Sequence, residues 1–137
     1  MAIGEIFSVL KQVPALLKLK RGMTPRSLDE HDCFARQVEN HAENYADGVA
    51  AIFEGQSVSW GQLNAAANRY AGRLLDMGVT RGDVVSVFME NRIEFLESVI
   101  ALNKIGATGG LINTNLRGGP LTHCISITDS KKCIFGA

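Results

Sequence analysis

Three short apolar segments separated by helical patterns constrain the fold of this chain more than any other feature. The first, VVSVFM (Val84 to Met89), is apolar without clean alternation, which is typical of a strand covered on both faces. GLIN (Gly110 to Asn113) and KCIFG (Lys132 to Gly136) follow, each after a helical pattern and a short connection. Such connections form right-handed crossovers between parallel strands. The sequence therefore predicts an α/β fold with a parallel βαβαβ portion.

A capping box marks the best-defined helix of the chain. Ser59-Trp60-Gly61-Gln62 places a hydroxyl at the N-cap and an amide side chain three residues later, so that the two can satisfy free backbone amides reciprocally. Gly78 stands where a left-handed residue would end the helix. The buried stripe is expected to consist of Leu63, Ala66, Ala67, Tyr70, Leu74 and Met77.

Another helix and a small β-hairpin are predicted before this helix. Ser27-Leu-Asp-Glu30 is a further capping box, for a helix that runs to about Asn44. The residues expected on its inward face are Phe34, Val38 and Ala42. VAAIF (Val49 to Phe53) and SVS (Ser57 to Ser59) flank a glycine-containing turn, which predicts the hairpin.

Polar residues after the first two parallel strands indicate where the later helices begin. Asn91 with Glu94 predicts the cap of a helix that ends at Gly106. Its inward residues are expected to be Ile93, Leu96 and Ile100. A last helix is predicted to start near Pro120.

The charge balance excludes one broad class of function. The chain has 14 basic and 14 acidic side chains, whereas a general nucleic-acid binder needs a basic surplus to displace counterions. We therefore expect no nucleic-acid partner. The longest apolar runs fall short of the roughly 18 residues of a conventional membrane-spanning helix.

Residues 1–21 form a separate segment with an amphipathic pattern. Apolar residues recur at helical spacing, and Lys18, Lys20 and Arg21 add positive charge at the carboxyl end. Such a helix suits the surface of an anionic membrane, with contact through residues 1–20. It equally suits packing against the body of a larger protein, and both interpretations stay open. Residues 22–137 then form the domain that follows.

Metal-binding and nucleophilic patterns are weak. His31, Cys33 and His41 could suggest a metal site, but His31 and Cys33 would point in different directions on one helix, and adjacent His123 and Cys124 diverge as well. The three cysteines include no CxxC pair, which favours free thiols in a reducing compartment over a disulfide framework. We predict neither a metal site nor a catalytic residue within this chain.

Two groups of glycines differ in where they lie along the predicted sheet. Gly106, Gly109 and Gly110 follow a helix and precede a strand, the reverse of a dinucleotide-binding loop. NTNLRGGP (Asn113 to Pro120) follows a strand and precedes a helix, at the edge where open α/β sheets bind ligands. Its backbone amides and arginine could meet a phosphate or carboxylate. Alternatively, its asparagines make only turn hydrogen bonds.

The ordered string of motifs resembles the N-terminal region of adenylate-forming enzymes, over roughly residues 28–137. The likeness is strongest to the very-long-chain acyl-CoA synthetase and fatty acid transport protein branch. The matching passages are SWGQL (Ser59 to Leu63), GV-x-x-GDVV (Gly78 to Val85), MENRIEF (Met89 to Phe95), KIGA (Lys104 to Ala107) and INTNLRGGPLTHC (Ile112 to Cys124). The last is the most specific to this branch.

The resemblance implies a two-step ligase reaction for the complete family. A fatty carboxylate attacks the α-phosphate of ATP, with Mg²⁺ assisting, and the thiol of coenzyme A then displaces AMP from the acyl-adenylate. In related enzymes the loop at the position of Asn113, Thr114 and Asn115 lies near the approach of coenzyme A. These residues depart from the glycine-rich loop of acetate-specific relatives. The lipid substrate also makes peripheral membrane contact on the cytoplasmic side a reasonable expectation.

Several parts of the family pattern have no counterpart in these 137 residues. They include the Ser/Thr/Gly-rich ATP loop ending in Pro-Lys, the adenine-binding motif, the acidic ribose ligand, the hinge and the C-terminal lysine. We therefore expect an N-terminal piece that binds ATP, Mg²⁺ and coenzyme A poorly and is inactive alone. The alternatives are a non-catalytic scaffold of the same fold and, less in keeping with the glycine positions, a small nucleotide-binding domain.

Overall fold

The structure is a computed structural model that describes Pro14, Leu17 and residues 32–136. The chain divides into two compact units, Met1–His31 and Asp32–Ala137. In the first, Pro14 and Leu17 are helical, while the predicted capping box at 27–30 and the rest of the amphipathic segment lie outside the described residues. Within the described part, no helix has both the length and the apolarity needed to cross a membrane. All elements below belong to the second unit.

The first helix, α1, spans Phe34–Asn44 and begins later than the sequence predicts. Residues 32 and 33 are not helical, and Cys33 serves as N-cap without a side-chain cap bond. The backbone N–H of Ala35 instead donates to Oδ1 of Asn103, at 2.9 Å and 68 positions away. A tertiary contact therefore caps α1, and local sequence patterns do not contain it.

The buried face of α1 matches the prediction at Val38 and differs from it at Phe34. Ala35 and Val38 are buried, whereas Phe34 is half exposed and Ala42 is only partly buried. Ala35 and Val38 share a core cluster with Val58 and Ile100, on elements far along the chain. The buried face therefore keeps Val38 from the predicted stripe but takes Ala35 in place of Phe34, because the partners of the helix select the face.

The hairpin is confirmed. Strands β1 (Val49–Phe53) and β2 (Gln56–Ser59) pair antiparallel around a turn at Glu54 and Gly55. Both turn residues have positive φ, +48° and +78°. Two left-handed residues give the turn a twist that matches the flanking strands.

Helix α2, Trp60–Asp76, begins with the predicted capping box. The backbone N–H of Gln62 donates to Oγ of Ser59 at 3.2 Å, and the backbone N–H of Ser59 donates to Oε1 of Gln62 at 3.0 Å. Gly78 has φ +75°, as a helix end requires. The predicted stripe is buried or partly buried except at Met77, which is 62% exposed because it is the C-cap and lies beyond the last packed turn.

A parallel sheet follows and confirms the α/β class. Its order is β4-β3-β5, with β3 in the centre. The elements in chain order are β3 (Val84–Phe88), α3 (Ile93–Lys104), β4 (Thr108–Leu111), α4 (Gly118–Ile127) and β5 (Cys133–Phe135). Both β4 and α4 start two residues earlier than predicted.

The two faces of β3 meet different surroundings. Val85 and Val87 are at most 1% exposed and pack with Leu102 of α3 and Leu74 of α2. On the opposite face, the hydroxyl of Ser86 is hydrogen-bonded to those of Thr128 and Ser130, after α4. The connections that leave β3 and β4 therefore run over opposite faces of the sheet.

The amino edge of the sheet is fixed by two motifs of the sequence. Oδ2 of Asp83 accepts hydrogen bonds from the backbone N–H and hydroxyl of Thr80, at 2.7 and 2.9 Å, and these bonds lower the pKa of Asp83. The Asp83 carbonyl accepts from Thr108, and the Gly106 carbonyl from Gly82. A Cβ at Gly106, where φ is +73°, would lie 2.9 Å from Cγ of Arg81. Hydrogen bonds thus link the turn in the GDVV passage to the turn in the KIGA passage.

Candidate functional site at the carboxyl edge of the sheet

The carboxyl ends of β3 and β4 adjoin at the edge opposite these turns. Because the following connections diverge to opposite faces, a crevice opens between the two strand ends. Open α/β sheets bind ligands in such crevices. The residues that follow β3 and β4 are therefore the candidates for a ligand site.

A cavity of about 470 Å³, here called the edge cleft, occupies this position. Its lining combines apolar side chains with amide, hydroxyl and carboxylate groups. The lining residues are Met89, Glu90, Asn91, Phe95, Leu111, Ile112, Asn113, Thr114 and Asn115. This mixture suits a ligand with both methylene and amide groups.

The predicted site residues lie together in the loop that follows β4. The side-chain oxygen of Asn113 accepts a hydrogen bond from the backbone N–H of Asn115 at 2.9 Å. The Asn113 carbonyl accepts from the backbone N–H of Leu116 at 3.2 Å. The turn bonds expected of Asn113 are therefore present. A direct role in ligand binding for Asn113, Thr114 and Asn115 stays a prediction.

A neighbouring cavity of about 280 Å³, here called the arginine cleft, shares part of this wall. It lies between the ends of β3 and β5. Its lining residues are Phe88, Met89, Glu90, Arg92, Thr114, Arg117 and Gly136. Thr114 lines both cavities and so lies at the boundary between them.

Asn91 has a different role from the one predicted. The N-cap of α3 is Arg92, in extended conformation and without a side-chain cap bond, so the predicted cap by Asn91 and Glu94 is wrong. Asn91 instead lines the edge cleft. Its position shortly after β3 could have identified it as a site residue from the sequence, because residues that follow a parallel strand reach the carboxyl edge of the sheet.

An ion pair sets the charge beside the site. Nε of Arg92 lies 2.9 Å from Oε2 of Glu94. The hydrogen bond with Glu94 raises the pKa of Arg92, while the backbone amide of Glu94 itself and then Arg92 lower the pKa of Glu94. Since the side chains are 39% and 44% exposed, the pair adds little to stability. Both shifts favour the charged forms of the two groups.

The other glycines and the candidate metal ligands do not extend this site. Gly106, Gly109 and Gly110 lie at the amino edge or within β4. Nδ1 of His41 lies 2.8 Å from the carbonyl of Gln37. His31 is outside the described residues, and within them no group of three or more metal-ligating side chains converges.

The profile of the AMP-binding enzyme family matches residues 38–136. The chain belongs to this family. The matched region contains the hairpin, the parallel sheet and the edge cleft. Proteins with similar sequences include long-chain fatty acid transport protein 1 of Bos taurus, 37% identical over 134 residues. That match covers 96% of this chain and 20% of the transport protein.

A second relative is the medium/long-chain-fatty-acid–CoA ligase FadD6 of Mycobacterium tuberculosis (strain ATCC 25618 / H37Rv). It is 35% identical over 96 residues, which are 70% of this chain and 16% of the ligase. This chain therefore spans a fifth or less of the length of both relatives.

Solved structures agree with the family assignment. A fatty acyl CoA synthetase of Mycobacterium tuberculosis is 30% identical with a TM-score of 0.71, covering 75% of this chain and 21% of that one. The N-terminal subdomain of Klebsiella oxytoca NpsA, in complex with anthranilyl-AMSN, has a TM-score of 0.73. At 22% identity over 77% of this chain and 28% of that one, it supports the fold alone.

A third solved structure, O-succinylbenzoate coenzyme A synthetase of Bacillus subtilis in complex with AMP, is 26% identical with a TM-score of 0.69, over 73% of this chain and 26% of that one.

The described residues suit an organic ligand better than a metal ion. The described residues contain no carboxylate cluster suited to Mg²⁺. The mixed wall of the edge cleft, in contrast, fits an amide-bearing organic chain.

Proposed function

We propose that this chain is the N-terminal portion of a long- or very-long-chain fatty acid–CoA ligase. In the first step, a carboxylate oxygen of the fatty acid bonds to the α-phosphorus of ATP and pyrophosphate leaves. In the second, the sulfur of coenzyme A bonds to the acyl carbon, the thiol proton is lost and AMP leaves. Support comes from the family match and from the fatty-acid relatives.

The part assigned to this chain is the approach of coenzyme A, and the edge cleft carries the proposal. The pantetheine arm of coenzyme A joins methylene groups to two amides and ends in a thiol. Met89 and Phe95 offer apolar contact, and the polar groups of Asn91, Thr114 and Asn115 offer hydrogen bonds. The arm and the lining of the cleft thus both combine apolar groups with hydrogen-bonding groups.

Activity is assigned to the complete protein and not to these 137 residues. Phosphoryl chemistry needs groups that hold ATP and stabilise the charge that develops on phosphorus. In this family those groups belong to the ATP loop and to the C-terminal lysine, which have no counterpart in this sequence. We therefore infer that the chain alone forms no acyl-adenylate.

The proposal predicts both coding sequence and activity. The encoding DNA is expected to continue beyond codon 137 into a Ser/Thr/Gly-rich loop ending in Pro-Lys. The complete protein is expected to show pyrophosphate exchange that depends on a long-chain fatty acid, and then thioester formation with coenzyme A. The 137-residue chain serves as the matched control and is expected to show neither.

Two outcomes would contradict this assignment in different ways. A stop at codon 138 with no activity would favour the non-catalytic scaffold. Thioester formation by the 137-residue chain would show that the supposedly missing groups are dispensable.

We further propose that residues 1–20 contact a membrane surface. The apolar stripe of the amphipathic pattern would enter the acyl boundary, and Lys18 and Lys20 would meet anionic headgroups. Deleting residues 1–20 is expected to abolish most co-sedimentation with vesicles that contain anionic lipid. Neutral vesicles provide the control, since they remove the electrostatic attraction. Equal sedimentation with and without residues 1–20 would refute this contact.

A further inference from the structure

We propose that Arg117 is a positioning residue that fixes Thr114 at the approach of coenzyme A. This inference rests on the proposed function and concerns the same site. It starts from the loop between β4 and α4, which is closed by two of its own side chains. Asn113 closes the first half of this loop, and Arg117 closes the second.

The contacts of Arg117 are made with backbone carbonyls of the loop. Its Nη1 donates to the carbonyl of Leu116 at 2.7 Å and also to the carbonyl of Thr114. Arg117 is the N-cap of α4, yet its side chain makes no cap bond to that helix. The guanidinium therefore serves the loop and not the helix that it precedes.

Fixing the Thr114 carbonyl also fixes where its side chain lies. Thr114 is half-buried and borders both the edge cleft and the arginine cleft. Its hydroxyl makes no hydrogen bond within the described part of the chain. A hydroxyl can donate and accept, so it can meet either the carbonyl or the N–H of an amide. The amides of the pantetheine arm are the chemistry that this group would recognise.

Lysine should replace this guanidinium poorly. A guanidinium is planar and presents several N–H groups in a fixed fork, whereas an ammonium is a point charge on a flexible stem. Nη1 alone holds the carbonyls of Thr114 and Leu116, so the fixed angle between its two N–H groups matters here more than its charge. Arg117→Lys should therefore behave more like Arg117→Ala than like the unmodified protein.

The test compares variants of the complete protein in the two half-reactions. Arg117→Ala and Arg117→Lys are expected to raise the KM for coenzyme A about tenfold and to weaken coenzyme A binding in calorimetry similarly. Fatty-acid-dependent pyrophosphate exchange should stay within about twofold. Thr114→Val should raise the same KM while amide hydrogen exchange of residues 113–117 stays at the rate of the unmodified protein. Arg36→Ala, on the exposed side of α1, is the arginine control.

The outcomes separate this inference from the function on which it rests. An unchanged KM for coenzyme A in Arg117→Ala would overturn the inference while the proposed function stands. A parallel loss of both half-reactions, with faster hydrogen exchange throughout the domain, would show a merely structural role and overturn it too. Absence of both half-reactions in the unmodified protein would refute the proposed function, and the inference with it.

Discussion

Replacing Leu102 with alanine is expected to lower the free energy of unfolding by about 3 kcal/mol. Leu102 is 1% exposed and belongs to the cluster that joins α2, α3 and β3. Its Cδ1 also lies 3.4 Å from the position that a Cβ would take at Gly109 in β4. Truncation removes buried methyl groups and leaves a cavity that α2, α3 and β3 cannot fill by moving separately. We expect it to affect the whole sheet.

Leu75→Ala is the matched control for this prediction. Leu75 belongs to α2 and is 54% exposed, so its truncation should cost less than about 0.5 kcal/mol. Urea denaturation followed through Trp60, the single tryptophan of the chain, measures both variants. Equal midpoints for the two leucine variants would contradict the assignment of Leu102 to the core.

Glu39→Gln should destabilise the protein by about 2 kcal/mol, more than Lys104→Met does. Nζ of Lys104 pairs with Oε1 of Glu39 between α3 and α1, and the two side chains are 8% and 39% exposed. Without Glu39, the ammonium of Lys104 remains buried and its charge is uncompensated. Without Lys104, the carboxylate of Glu39 can still be hydrated. The asymmetry follows from the unequal exposure.

A double variant and a control on the same helix complete this test. Glu39→Gln combined with Lys104→Met should recover most of the loss, because no buried charge then remains. Glu43→Gln changes an exposed carboxylate of α1 and should leave the urea midpoint nearly unchanged. If Lys104→Met proved more destabilising than Glu39→Gln, the burial argument would be wrong.

Local signals predicted the features that local interactions build. The capping box at Ser59 and Gln62 and the left-handed residue at Gly78 are within a few residues of the groups that they satisfy. The neighbouring sequence is therefore enough to predict both features. The parallel order of the later strands followed from connection length and handedness, which also need no knowledge of specific contacts.

Features that depend on distant partners could not be predicted in this way. The start of α1 is set by Asn103, and its inward face is set by contacts with Val58 and Ile100. Asn91 and Glu94 have the spacing of a cap, but Glu94 pairs with Arg92 instead. A spacing rule cannot choose between two partners of similar reach.

The sequence predicted where the candidate site lies better than it predicted which residues line it. The loop at 113–115 was expected at the carboxyl edge, and it lies there beside the edge cleft. The apolar part of the lining, from Met89 and Phe95, was not expected, because it forms only when the ends of β3 and β4 adjoin. Whether the loop residues bind a ligand remains a prediction.

The two ends of the sheet also differ in how freely they can change. At the amino end, the Asp83 carbonyl accepts from Thr108, the first residue of β4, and the Gly106 carbonyl accepts from Gly82, so that an alteration in one turn disturbs the other. At the carboxyl end, the five residues Asn113–Arg117 are closed largely by their own side chains. Substitutions within such a self-contained loop should therefore leave the packing of the sheet intact.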